Sequence, residues 1–167
     1  MNPQWFGDSF DIVKRFFVDN LKEIGYTVYV NPMLTGEWIG KEKSFYKFLN
    51  VHHQESMSNS SKNALLLDPD TGIGSKRSKR HTTIQDIVDL LDEYEIVFSF
   101  DQSFSRNAPA SEALSRKLKL LKSKGGQGFY YDSHARFLFA AKQASSLQEL
   151  KEQLVGVGLP RERLVTE

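Results

Sequence analysis

Cysteine is absent from this chain of 167 residues, which excludes disulfides, thiolate catalysis and cysteine-ligated zinc. Long apolar runs are absent too: none approaches the roughly 18 residues of a membrane span, so no membrane partner is expected. Met1 to Phe10 lacks the basic start, apolar stretch and small-residue cleavage site of a secretory signal, and a cytoplasmic location is the expectation. Neither sign of charge dominates, because 22 basic residues against 21 acidic ones leave a net charge of +1 and no global field that would select a partner. What remains is ordinary globular material, 40% hydrophobic and 26% charged, which is neither a disordered nor a fibrous composition. The length suits one domain over residues 1–167 with a single core, burying roughly two-thirds of its unfolded surface. No internal repeat or linker divides it, and the oligomeric state is not legible.

Helical and extended segments alternate along the chain. Asp8 to Glu23 places Val13, Phe16, Phe17, Leu21 and Ile24 on one helical face, with Asp8 as cap and Gly25 as stop. Tyr26 to Val30 reads as a strand, Lys41 to Leu49 as a short helix, and His52 to Lys62 as a polar loop outside the core. Ala64 to Leu67 is a wholly apolar strand, Thr83 to Glu93 a helix with a Thr83/Asp86 cap pair, and Ile96 to Phe100 a third strand. Ala110 to Lys124 is a helix through Leu114, Leu118 and Leu121. Gly128 to Asp132 and Arg136 to Ala141 read as a bent strand pair around Ser133-His134, and Ser146 with Glu149 as the capping box of a last helix. The expected fold is a single three-layer, Rossmann-like α/β domain whose mostly parallel central sheet has about four or five strands.

Four apolar runs end in polar clusters: Asn31-Pro32, Asp68-Pro69-Asp70-Thr71-Gly72, Asp101-Gln102-Ser103 and Asp132-Ser133-His134. Parallel strands bring their carboxyl ends to one edge, where α/β folds bind ligands, so Asp68, Asp70, Asp101, Asp132 and His134 are candidate catalytic groups. Asp68 and Asp70, two apart, would point the same way if extended, and could chelate a hard cation or divide the roles of base and orienting group. The same segment also has the composition of a turn whose aspartates cap backbone amides. His134 could donate to an anion on a leaving group. A Ser103 or Ser133 nucleophile beside His134 has no nucleophile-elbow motif behind it.

Around these groups lie candidate substrate contacts: Asn31, Gln102, Ser103, Phe104, Arg106, Tyr131, Ser133 and Arg136. Phe100, Phe104, Tyr130 and Tyr131 are first of all core residues, although one exposed at the edge could stack on a base. Lys14 sits in the first helix with Asp11 one turn before it. Lys76, Arg77, Lys79 and Arg80 form a basic run next to the Asp68 cluster, placed to hold a phosphate backbone.

Three segments resemble the uracil-DNA glycosylase superfamily, α/β domains that remove bases from DNA without a metal. They are Asp68-Pro69-Asp70, Asn31-Pro32-Met33-Leu34-Thr35 and Ser133-His134-Ala135. The resemblance implies that Asp68 or Asp70 positions water, His134 stabilises the departing base and Asn31 reads its edge. A second likeness is to the adenine-N6 methyltransferases of ribosomal RNA. Gly7-Asp8-Ser9-Phe10-Asp11-Ile12-Val13-Lys14 resembles their opening helix, and Asp68-Pro69 the start of their Asp-Pro-Pro-Tyr site. Asp68-Pro69-Asp70-Thr71-Gly72-Ile73 is also similar to the calcium-binding start of nucleoside hydrolases.

The leading expectation is therefore a hydrolase acting on nucleic acid, DNA first, that cleaves an N-glycosidic bond of an extruded base without a cofactor. The chief alternative is a nuclease holding Mg²⁺ or another divalent cation on Asp68, Asp70 and Asp101. A non-catalytic nucleic-acid-binding module and a degenerate methyltransferase-like domain complete the set.

Overall fold

The computed structural model describes residues 5–33, 40, 42–56, 62–78, 80–104 and 109–167. Arg106, Lys79 and the stretch Leu34-Thr35 lie outside the described residues.

Helix α1 (Ser9–Glu23) starts where the Asp8 carboxylate accepts the Phe10 and Asp11 amides, and it stops before Gly25, whose φ of 90° few other residues tolerate. Strand β1 (Thr27–Asn31) and helix α2 (Glu42–Leu49) follow, then the two-residue β2 (His52–His53) and the apolar β3 (Asn63–Leu67). A small parallel pair, β4 (Gly72–Ile73) and β5 (His81–Thr82), brackets the basic loop and leads into α3 (Ile84–Leu90). Thr83 and Asp86 close a reciprocal capping box on α3, as their spacing implies. Next come β6 (Ile96–Phe100), α4 (Ala110–Ser123), β7 (Gln127–Tyr131), β8 (Phe137–Ala141), α5 (Ala144–Gly156) and β9 (Leu164–Val165).

The main sheet has seven strands in the order β2-β1-β3-β6-β8-β7-β9. Its first four strands are mutually parallel. β8 runs against both β6 and β7, and β9 against β7, so β1, β3, β6 and β7 all point the same way. The expected count falls short by the edge strands β2 and β9, two residues each and too brief to leave a periodic signature. β2 also corrects the reading of His52 onward as loop, since His52 and His53 pair with Tyr29 and Val30.

Alternation along the strands divides the core. Val28, Val30, Ala64, Leu66, Ile96, Phe98 and Phe100 face α1, α2 and α5, whereas Tyr29, Leu65, Leu67 and Val97 face α3 and α4. Each layer is closed by helical leucines: Leu147, Leu150 and Leu154 on one side, Leu114, Leu118 and Leu121 on the other. The reversed strand is locked by an aromatic ladder in register, with Phe139 stacked on Phe98 at 5.4 Å and on Phe129 at 4.9 Å. Such pairs add about 0.5–1.5 kcal/mol each beyond area burial. The last helix begins at Ala144, not at a Ser146 cap; Ser146 donates to Glu95, and Glu149 pairs with Lys62.

Candidate functional site

At the carboxyl edge of the sheet lies a cavity of about 650 Å³ whose lining includes Trp5, Phe10, Lys14, Asp68, Asp70 and Gln102. α1 supplies one wall through Asp8, Phe10, Asp11 and Lys14; the Asp-Pro turn after β3 and the end of β6 supply the other. Phe10 meets Phe100 edge to face at 5.3 Å, which joins the two walls with an apolar floor.

Lys14 is the centre of the site. It is 3% exposed, and its Nζ donates to Asp11 at 2.8 Å and to Asp68 at 2.9 Å. Burial raises the Asp68 carboxyl above its ordinary value, against the opposing pull of Lys14. Burial works to lower Lys14, but the charges of Asp68 and then Asp11 outweigh it and hold the ammonium above its usual range. The Asp11 Oδ2 atom accepts the Gly7 amide, so the chain before α1 is tied to the same cluster. Lys14 occupies one Asp68 oxygen, Oδ2; among the described residues nothing donates to Oδ1, and Asp68 lines the cavity.

Asp101 lies at a neighbouring strand end but not in this site. Leu67 is level with Ser99, so Asp68 is level with Phe100, and Asp101 falls one residue further along. A shift of one residue reverses the face. Asp68 therefore turns toward α1 and Asp101 toward α4, on opposite sides of the sheet. Asp101 is fully buried and accepts from Lys117 at 2.5 Å, Tyr130 Oη at 2.8 Å, the Ser103 amide at 3.1 Å and the Ile73 amide at 3.0 Å. It is a structural anchor: with Ser103, which donates to the Ile73 carbonyl at 2.6 Å, it pins the turn that carries Asp68. Gly72 makes that approach possible, with φ of 97° and space so tight that a Cβ would sit 2.4 Å from Asp101 Oδ1.

Most of the other sequence candidates disperse. Asp70 stays on the cavity lining with Asp68, and there it pairs with Arg80 at 3.2 Å. Asp132 pairs with Arg136 at 2.7 Å across the β7–β8 turn, and Ser133 is consumed by both backbone groups of Ala135. His134 is exposed and stacks on Phe10 at 5.3 Å, outside the cavity lining. Asn31 accepts the Met33 amide in its own turn. Tyr131 packs on Phe17, and Phe104 lies between Lys117 and Arg136, each within 5 Å of its ring. Lys76, Arg77 and Arg80 are exposed, with Arg77 pairing to Asp86 at 3.3 Å. Among the described residues no group of three or more histidine, aspartate or glutamate side chains is arranged to hold a metal. The opposite facing of Asp68 and Asp101 is the reason that the expected trio with Asp70 does not form one.

No family model, curated protein or solved structure matches this chain.

Sequence reasoning missed Lys14 as the partner of Asp68, and Trp5 and Asp8 as lining. A lysine three residues after an aspartate in the opening helix was the available signal for Lys14. Lys117 and the Tyr130 hydroxyl, which satisfy Asp101, left no local trace because they come from elements 16 and 29 residues away.

Proposed function

We propose that the cavity binds S-adenosylmethionine and a nucleic-acid base, and that the domain methylates an exocyclic amine. The observation that carries this reading is the Lys14–Asp68 contact. It joins, across 54 residues, the two segments that resemble the adenine-N6 methyltransferases, and sets them on one cavity. The cavity also lies at the carboxyl edge of the parallel strands, where α/β folds bind ligands.

The cavity fits the methyl donor in size, about 650 Å³ within the range of small-molecule sites, and in chemistry. Phe10 offers an aromatic surface for the donor's purine, and Asp8 and Asp70 offer carboxylates for hydroxyls or a sulfonium. When bound, the donor supplies an electrophilic methyl group. Asp68 does the protein's part. Its Oδ1 accepts an N–H of the amine, which orients the nitrogen lone pair, and its raised pKa suits it to receive the proton the nitrogen sheds. Lys14 is a positioning residue that fixes the carboxylate through the other oxygen. Thr71 stands where the resembled motif has its aromatic, so stacking on the base comes from outside that segment.

Hydrolysis of an N-glycosidic bond has weaker support in the same geometry. It asks Asp68 or Asp70 to direct water and His134 to meet the departing base, but His134 stacks outside the cavity lining.

Calorimetry with S-adenosylmethionine tests the reading first, followed by transfer of labelled methyl to single- and double-stranded DNA and RNA. The expected result is saturable donor binding, transfer abolished in Asp68→Ala and partly kept in Asp68→Asn, whose amide oxygen still accepts. Asp11 remains on Lys14 in both variants, so the fold persists. Absence of donor binding, or abasic sites revealed by alkali in donor-free reactions, overturns it.

A further inference from the structure

Resting on the reading that a base enters this cavity, we infer that the substrate is a single-stranded segment of nucleic acid, gripped by stacking on Trp5 more than by phosphate contacts. Trp5 lines the cavity yet is 60% exposed, the most exposed of the large apolar side chains among the described residues. It stands at the mouth, where a base next to the target would lie. Arg80 also lines the cavity, with its side chain 66% exposed, and the same loop carries Lys76 and Arg77 to the surface. An indole face beside a short basic rim is the pairing that single-strand binders use, because every base has a π-face and one backbone needs one groove.

The charge distribution argues against a duplex. Arg77 and Arg80 already pair with Asp86 and Asp70, and the chain's net charge is only +1. Such a surface releases few counterions, whereas a protein that must extrude a base from a duplex first has to hold both backbones and offset the lost stacking.

The test needs no methyl donor. Fluorescence anisotropy of labelled 12-nucleotide single strands is compared with duplexes of the same sequence, at several salt concentrations. Trp5→Ala and Trp5→Phe are measured beside the wild type. In a Trp38→Phe background Trp5 is the sole indole, since the chain has two tryptophans, and its emission reports stacking directly. The expected results are at least tenfold preference for single strands, quenching of Trp5 emission, a loss of roughly tenfold or more in Trp5→Ala with partial retention in Trp5→Phe, and a log–log salt slope of about −2. Equal or tighter duplex binding, unchanged affinity in Trp5→Ala, or no binding of either form overturns the inference. Single-strand binding without any methylation would uphold it and remove the methyltransferase reading; methylation confined to duplexes would do the reverse.

Discussion

Lys14 carries the largest stake of any side chain. Removing it strands two carboxylates that are 1% and 2% exposed, Asp11 and Asp68. Breaking a buried pair this way costs about 3–5 kcal/mol. Lys14→Met should therefore lower the urea midpoint sharply at an unchanged m-value; a loss under 1 kcal/mol would mean that Asp68 is held as a neutral acid. Aspartates at strand ends were legible from the sequence, but their roles were not. Asp68 and Asp101 look alike in one dimension, each following an apolar run. One faces a cavity and the other is sealed under Tyr130, because the two strands are staggered by a single residue.

At the scale of elements, the site depends on how the Asp-Pro turn is braced. Gly72 crosses the end of β6 with φ of 97°, where a Cβ would lie 2.7 Å from the Asp101 Cα. Gly72→Ala meets both a disfavoured backbone conformation and a clash with main chain that cannot move aside. The expected outcome is a loss of about 2 kcal/mol or more in thermal unfolding, together with weaker donor binding. A stable variant with intact binding would show that the turn is not held by Asp101. The caps are milder. Asp8 satisfies two amides of α1, and Asp8→Ala should cost about 1 kcal/mol, as should Thr83→Ala at α3. The helices were the most legible elements, since their apolar faces repeat over several turns. The small strands β2, β4, β5 and β9 were not, because two residues form a strand only when a neighbour supplies the hydrogen bonds.

For the whole molecule, the buried polar groups set an alkaline limit. Burial first, then the charge and hydrogen bond of Asp101, hold the Tyr130 phenol well above its ordinary value of 10.0. Lys14 is likewise held above 10.5. The folded state keeps both protons after the unfolded chain has released them, so their stabilisation is whole below about pH 10 and is lost as pH rises through the folded values. Lys117, lowered chiefly by its burial, works in the opposite direction. Wild type should exceed Tyr130→Phe in stability at pH 8 and lose that margin by pH 11, measured by urea unfolding across the range; a constant margin would show that the phenol does not titrate with unfolding. Asp68 gives no acid limit, because its raised value means that its contribution is lost on raising the pH, not on lowering it.

The sequence by itself determined the helices, the apolar strands between them and their arrival at one polar edge, because periodicity and caps are written in neighbouring residues. It also marked Asp68-Pro69 and the opening helix as separate points of interest. Only the tertiary structure joined them. Which face each aspartate takes depends on the register between β3 and β6, and the carboxylate that becomes the site depends on a lysine 54 residues away whose burial is tolerable only between two acids. Register and partner are properties of the packed sheet, and no local pattern encodes them.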